Sequence, residues 1–129
     1  METDSGKQTR MFYFQDSDDP GGDLQGVSRA HWDVKGRRGP VRGGSMRVIT
    51  TKLKPGYLRK NGVPYSDKTE LTEYYTRTDN SNGDSWLVID TIVTDPTYLT
   101  QPYVNSVSFK KQRDASGWDP TPCRTDQPR

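Results

Sequence analysis

The chain has 129 residues, a net charge of +2 and an apolar content of only 29%, which suits one domain with a small core. No apolar stretch approaches the ~20 residues that a membrane helix needs, and residues 1–6 lack the apolar region of a signal peptide. The single cysteine excludes an intramolecular disulfide and, with a single histidine, argues against a structural zinc site. Taken alone, the chain is expected to be cytoplasmic and to need no cofactor or metal.

Two strands separated by an acidic loop are predicted in the first part of the chain. Residues 10–14 are a short run of β-formers, and residues 16–23 then combine four aspartates with a proline and two glycines, which disfavour regular structure. Residues 26–34 alternate, with Ala30 and Trp32 on one face and His31 on the other, as in a half-buried strand. The aspartate spacing does not match an EF-hand loop, so a mobile turn is expected there rather than a calcium site.

A basic, glycine-rich loop follows over residues 35–44. Residues 29–60 carry ten basic side chains and one acidic side chain, and the loop holds four of the basic ones, Lys35, Arg37, Arg38 and Arg42, among four glycines. A segment of this composition cannot build a core and can attract an anionic partner. The three arginines are therefore a candidate anion-binding site. Nucleic acid is not the favoured partner, because no aromatic side chain is interleaved with the arginines.

Four more strands are predicted by alternation and by β-branched content, over residues 45–53, 69–78, 85–94 and 103–111. Asn82-Gly83 marks a hairpin turn between the second and third of them, because both residues tolerate positive φ. The run 85–94 is the most apolar and is expected to be the central strand, covered on both faces. In the last strand, Tyr103, Val107 and Phe109 are expected to point inward.

The predicted fold class is all-β. Sequential strands with short turns favour an antiparallel up-and-down meander that forms a curved sheet or a partly closed, lipocalin-like barrel. The sequence predicts a single β-domain over residues 1–129, with an ordered core over 8–112 and an extended proline-rich tail over 113–129. An open sheet would leave an edge strand that invites self-association or pairing with another region.

Six motifs spread over most of the chain carry a family resemblance. They are LQGVS (24–28), RVITT (47–51), LKPGYLRKNGVPYS (53–66), LTEYY (71–75), DPTYLTQP (95–102) and WDPTPC (118–123). With these motifs the chain resembles a group of uncharacterised bacterial secreted or periplasmic β-rich proteins. The 53–66 motif is the most specific of the six.

The resemblance implies an envelope location and little chemistry. Members of the group are usually longer and begin with a signal peptide, so residues 1–129 are expected to be the C-terminal part of an exported protein. In an oxidising compartment, Cys123 could then pair with a cysteine of a preceding region. No catalytic residue or cofactor follows from the resemblance.

A candidate ligand site comes from the strands at 69–78 and 85–94. Glu73, Tyr75 and Arg77 alternate onto one face, and Trp86 and Asp90 follow on the next strand, where Asp90 is expected to reach one of the two inward charges. Tyrosines on a concave sheet suit sugars or flat apolar ligands, because each ring offers a face and a hydroxyl. The six tyrosines considered are Tyr57, Tyr65, Tyr74, Tyr75, Tyr98 and Tyr103.

Catalysis has one weak candidate, His31, with Asp33 two residues away on the same strand face. No nucleophile is tied to this pair by spacing. The leading expectation is therefore a non-enzymatic binding or structural domain with an unknown small ligand. The alternatives left open are part of a hydrolase completed by a further region, and anionic-polymer binding through the basic loop.

Overall fold

The computed structural model describes residues 1–3, 5–15, 21, 24–33, 44–58 and 62–122. Most of the predicted acidic loop lies outside the described residues, and so does the Arg/Gly-rich loop with Arg37, Arg38 and Arg42. Cys123 lies outside them as well. The candidate anion-binding site therefore stays a prediction.

Eleven strands occur in the described residues, and five of them build the main sheet: β4 (Val27–Asp33), β5 (Ser45–Thr51), β8 (Glu70–Asp79), β9 (Ser85–Thr94) and β10 (Tyr103–Lys110). The other six have two residues each: β1 (Glu2–Thr3), β2 (Ser5–Gly6), β3 (Gln8–Thr9), β6 (Gly56–Tyr57), β7 (Pro64–Tyr65) and β11 (Thr121–Pro122). Among the described residues there is no helix with the length and apolar character that a membrane crossing requires.

The main sheet is an antiparallel meander with the order β10-β9-β8-β5-β4. Neighbours in the sheet are neighbours in the chain, except that the small β6–β7 hairpin is inserted between β5 and β8. The predicted all-β antiparallel meander is therefore confirmed. Of its two predicted forms, the open sheet is observed and the barrel is wrong, because β4 and β10 remain the two edges.

The N-terminal segment occupies the outer side of β4, and this contact stands where barrel closure would need β10. Tyr13 N donates to Ser28 O at 2.9 Å, and Ala30 N donates to Tyr13 O at 2.8 Å. The backbone of residues 10–14 pairs with the sheet only through this single parallel bridge, between Tyr13 and Arg29. The strand predicted there is therefore not formed. The segment instead turns the side chains of Arg10 and Phe12 onto the sheet.

The strand register sorts the side chains onto two faces, because directly opposite residues of an antiparallel ladder share a face. Glu73 pairs with Val48 and Thr91, and we call this side the Glu73 face. Tyr74 pairs with Arg47 and Asp90, and we call that side the Tyr74 face.

The core lies on the Glu73 face. Ala30, Val48 and Tyr75 are its buried members, and the partly buried side chains packed against them are those of Phe12, Met46, Leu87 and Ile89. The rings of Phe12 and Tyr75 meet edge to face, with centroids 5.5 Å apart. The core is thus held between the sheet and the N-terminal segment.

Two burial predictions for the last strands are wrong. The central strand is β8, and nearly all of β9 is only half-buried, so β9 is not covered on both faces. In β10, Val107 and Phe109 do lie on the Glu73 face, opposite Ile89 and Leu87, but they are exposed by 42% and 52% instead of buried. The reason is position, since β10 is the edge of an open sheet and its side chains have neighbours on one flank only.

Part of the C-terminal tail pairs with the N-terminal residues. Residues 113–119 are exposed, as expected, but they are not extended, because Trp118 N donates to Ala115 O at 2.9 Å in a turn. Beyond them, β11 pairs in parallel with β2 through Thr121 opposite Ser5 and Pro122 opposite Gly6. Both ends of the described chain therefore meet, which the sequence did not predict.

Candidate functional site

The five residues of the predicted ligand site are not brought together. Glu73, Tyr75 and Arg77 share the Glu73 face, but Trp86 pairs with Thr78 and Asp90 pairs with Tyr74. Trp86 and Asp90 therefore point to the Tyr74 face. There Asp90 accepts a hydrogen bond from Ser106 Oγ at 2.6 Å instead of reaching Glu73 or Arg77.

Glu73 is buried against Arg10 of the N-terminal segment. The Arg10 Nη2 atom lies 2.6 Å from Glu73 Oε2, and the two side chains are only 16% and 9% exposed. No hydrogen bond of regular geometry within the described residues reaches Oε2, so the contact is a close ion pair rather than an aligned N–H···O bond. A buried carboxylate without a counterion would be strongly unfavourable, and the guanidinium supplies that counterion.

The rest of the guanidinium is bonded to two buried hydroxyls. Arg10 Nε donates to Ser28 Oγ at 2.9 Å, and Nη2 donates to Thr50 Oγ1 at 2.6 Å. The Ser28 and Thr50 hydroxyls are 2.9 Å from each other, and the Arg10 Cζ atom lies 5.2 Å from the centre of the Phe12 ring. The partner of Glu73 is thus Arg10, which the sequence did not single out, and not Arg77 or Asp90.

Tyr75 completes this cluster from the core side. Its hydroxyl donates to Glu73 Oε1 at 3.3 Å and accepts from Arg10 Nη1 at 3.5 Å. Burial, and then the negative charge of Glu73, raise the pKa of Tyr75 to about 12. The hydroxyl therefore stays protonated at neutral pH and acts as a hydrogen-bond donor rather than as a base.

Arg77 lies farther along β8, where the strand leaves the core. It binds Asp79 Oδ1 through Nε at 3.1 Å and through Nη2 at 3.0 Å, and both side chains are exposed. The hydrogen bond from Ser85 Oγ, and then those from Arg77, lower the pKa of Asp79. Arg77 is thus engaged in a local surface pair and does not reach Glu73.

A groove of about 300 Å³ lies on the Glu73 face, where the β6–β7 hairpin approaches β8, β9 and β10. Its apolar lining consists of Leu53, Tyr57, Leu58, Tyr65, Leu71, Val93 and Tyr103. Thr69, Thr91 and Asn105 add polar atoms. We call this site the tyrosine groove. Three of the six predicted tyrosines meet here, whereas Tyr75 belongs to the core, Tyr74 to the opposite face and Tyr98 to an exposed loop.

Gly56 lets the Tyr65 ring lie across the hairpin. A Cβ atom at Gly56 would stand only 2.8 Å from Tyr65 Oη and 2.9 Å from its Cζ, so any larger residue would displace the ring. Tyr57, on the next position of β6, is 70% exposed and forms part of the groove rim. The Pro-Gly-Tyr sequence at 55–57 therefore shapes one wall of the groove.

Asp95 holds in place the segment that follows Tyr65. This buried carboxylate follows β9, and its Oδ2 accepts from Ser66 N and from Thr69 Oγ1, both at 2.5 Å. Its Oδ1 accepts from Thr97 N at 2.7 Å and from Tyr98 N at 3.0 Å. The carboxylate thereby ties the turn after β9 to the segment that brings Tyr65 and Thr69 to the groove.

Hydrogen bonds keep Asp95 ionised. Burial alone would raise its pKa, but the hydrogen bonds from Ser66, Thr69 and Thr97 outweigh that effect and hold the pKa of Asp95 far below its ordinary value of 3.8. Asp95 is therefore a permanently charged structural acceptor at physiological pH.

Arg10 and Asp95 were not singled out from the sequence. Arg10 precedes an apolar run and alternates with Phe12, which is compatible with a side chain directed at the sheet, but nothing local identifies Glu73 as its partner. For Asp95 a signal was present, because an aspartate directly after a strand and before Pro-Thr is typical of a side chain that bonds the backbone two residues on.

His31 lies on the exposed half of the edge strand β4. It pairs with Arg47 across the ladder on the Tyr74 face, and Asp33 is exposed two positions along. In the described part of the chain, His, Cys, Asp and Glu nowhere gather in a group of three that could hold a metal ion. The hypothesis of a catalytic histidine gains no geometric support from these neighbours.

No protein-family model, curated protein or solved structure matches this chain. The geometry of the described residues is therefore the basis for the functional proposal.

Proposed function

We propose that this protein is a non-enzymatic β-domain that binds a flat, largely apolar small molecule in the tyrosine groove. The observation that carries the proposal is the convergence of Tyr57, Tyr65 and Tyr103 on one groove beside the sheet. In line with the family resemblance, we further propose that the domain belongs to an exported protein.

The composition of the groove supports a ligand of this kind. Small-molecule sites are mostly apolar and contain a few fixed polar groups that orient the ligand. Leu71 and Val93 provide an apolar floor on β8 and β9, and Thr91 and Asn105 lie at the same face of β9 and β10. A planar ring could stack against a tyrosine while its polar atom bonds to one of these side chains.

The wall contributed by Tyr57 allows a direct test. Amide NMR shifts of the labelled full chain would be followed during titration with indole and 2-naphthol, which are flat and apolar, and with cellobiose as a sugar. We expect the aromatic probes to shift the amide signals of residues that line the groove. Tyr57→Ala should weaken their binding by about two- to tenfold, since one stacked ring contributes about 0.5–1.5 kcal/mol.

Tyr98→Ala is the matched control, because Tyr98 is also exposed, by 52%, but lies outside the groove. This variant should bind the probes as the unmodified chain does. Shifts confined to the Tyr74 face, or equal affinities for Tyr57→Ala and the unmodified chain, would contradict the proposed site. A response to cellobiose alone would contradict the proposed ligand class.

A further inference from the structure

Strand β10 forms one of the two edges of the main sheet, and it carries exposed apolar side chains. Within the described residues, β9 is the only strand that pairs with β10. Val104, Val107 and Phe109 are 64%, 42% and 52% exposed. An edge strand of this length without an interior charge or proline is a template for pairing with another strand.

The register shows which backbone groups of β10 face outward. Lys111 N donates to Ser85 O at 2.8 Å, in line with the β9–β10 ladder, so the odd-numbered residues of β10 bond to β9. In antiparallel pairing the backbone groups alternate in direction. The N–H and C=O groups of Val104, Ser106 and Ser108 therefore point to the outer edge.

The opposite edge of the sheet is different. Tyr13 bridges to the outer side of β4, and three charged or titratable side chains, those of Arg29, His31 and Asp33, lie along this strand. Bridging segments and edge charges are the devices that prevent strand addition. Among the described residues, one edge of the sheet is thus protected and the apolar edge is not.

We propose that β10 pairs antiparallel with β10 of a second copy of this chain, with Ser106 on the two-fold axis. Such a dimer continues the five-stranded sheet across the interface. It shares Tyr103 with the tyrosine groove but requires no ligand there.

Two observations select this register. The outward groups belong to even-numbered residues, so the pairing must join even positions to even positions, with the axis at Ser106 or at Val107. With Ser106 on the axis, Tyr103 stands opposite Phe109 of the second copy on both sides, which gives two aromatic cross-strand pairs. Pairing also ends naturally there, since Lys110 would meet Pro102, which has no N–H to donate.

A second copy suits this edge better than an unrelated strand. The segment from Tyr103 to Phe109 has no charged side chain, so the two copies do not repel one another within the paired region. The contact is small compared with the roughly 1,200–2,000 Å² of a stable interface, so we expect a weak dimer with a dissociation constant in the micromolar range.

Sedimentation equilibrium of the full chain up to millimolar concentration tests the dimer. We expect the mass to rise with concentration from 14.7 kDa toward twice that value. Ser106→Lys should weaken dimerisation at least about tenfold, because two lysines would face each other on the axis. Within one copy the new lysine is accommodated, since Ser106 Oγ already lies 2.6 Å from Asp90 Oδ1.

His31→Lys is the matched control, because it adds the same charge on the exposed part of the other edge strand. It should leave the dimer unchanged. A chain that stays monomeric at millimolar concentration would overturn the proposal, and so would equal weakening by the two lysine variants.

Cysteine cross-linking tests the register in a Cys123→Ser background. Residues paired on the axis have Cα atoms about 5.5 Å apart, within the range that a disulfide spans. Ser106→Cys should therefore form a covalent dimer on mild oxidation. Val107→Cys should not, since its two Cα atoms would be about 8 Å apart. The reverse result would overturn the register with Ser106 on the axis.

Discussion

Replacing Glu73 by alanine should lower the free energy of unfolding by about 3–5 kcal/mol, because it leaves the buried guanidinium of Arg10 without its counterion. Arg10→Ala should cost a similar amount, since it leaves the Glu73 carboxylate buried on the sheet. Either loss would be a large part of the roughly 5–15 kcal/mol that stabilises a typical domain. Urea denaturation at neutral pH, followed by tryptophan fluorescence, measures both values.

Arg77→Ala provides the control on the same strand. It removes an arginine–carboxylate pair with Asp79 that is exposed, and exposed pairs contribute little because water and salt screen them. The melting temperature of this variant should stay within about 2 °C of the unmodified chain. Equal destabilisation by Arg77→Ala and Glu73→Ala would contradict the special role of burial.

The double variant Arg10→Met, Glu73→Met separates the ion pair from the packing of its side chains. Apolar replacement of a buried pair is often neutral or stabilising, so most of the loss in the single variants should be recovered. The Ser28 and Thr50 hydroxyls keep each other as partners at 2.9 Å. A double variant less stable than either alanine variant would show that the unpaired charge is not the cause of the loss.

The Arg10–Glu73 pair also explains how the N-terminal segment is held against the sheet. Residues 10–14 make only one bridge to the sheet, yet Arg10 and Phe12 reach buried groups of three strands through Ser28, Thr50 and Tyr75. Side-chain contacts thus replace the ladder that the sequence predicted for this segment. In this way the segment covers the core without becoming a sixth strand.

Local patterns predicted the five strands of the main sheet, and within β8 they also predicted the faces. Alternation on β8 correctly put Glu73, Tyr75 and Arg77 on one face, because the side-chain period of a strand is fixed by its backbone. The hairpin signal at Asn82-Gly83 also lies in the turn between β8 and β9, where Gly83 has a φ of 87°. These features depend on neighbouring residues only.

The register across that turn does not follow from the local pattern. It determines which side chains of β9 share a face with Glu73. The connection runs through residues 80–84, closed by a bond from Asn80 N to Asp84 O, and it pairs Asp79 with Ser85. A two-residue turn at Asn82-Gly83 would have shifted the pairing by one residue. Since such a shift exchanges the faces of a strand, Trp86 would then have stood opposite Asp79, on the same face as Arg77, instead of opposite Thr78.

Contacts between distant parts of the chain account for the other differences. Arg10 and Glu73 lie far apart in sequence, and so do Tyr57 and Tyr103, which meet only because the β6–β7 hairpin folds over the sheet. The sequence contains the tyrosines, but their distribution over core, groove and opposite face depends on this tertiary arrangement.

Asp95→Asn should lower the melting temperature by about 10 °C, although the two side chains have nearly the same shape. The carboxylate accepts four hydrogen bonds, from Ser66 N, Thr69 Oγ1, Thr97 N and Tyr98 N. An amide offers one acceptor oxygen, and its NH₂ group would face two donors. Thermal unfolding at neutral pH, monitored by circular dichroism, measures the change.

Asp114→Asn is the matched control, since Asp114 is exposed and accepts one backbone bond, from Ser116 N at 2.9 Å. Its melting temperature should barely change. If the two asparagine variants were equally stable, the four-donor arrangement around Asp95 would not contribute as the structure indicates.

The same carboxylate predicts how stability depends on acid. The pKa of Asp95 is depressed in the folded chain, so below its unfolded value of 3.8 the unfolded chain binds the proton first. The stabilisation from Asp95 is therefore complete above about pH 5 and is lost progressively as the pH falls through 4 and below. Asp95→Asn lacks this titration, so its unfolding free energy should fall less steeply between pH 5 and pH 3 than that of the unmodified chain. If the unfolding free energies of the two proteins fell equally steeply between pH 5 and pH 3, other carboxylates would set the acid sensitivity of this fold.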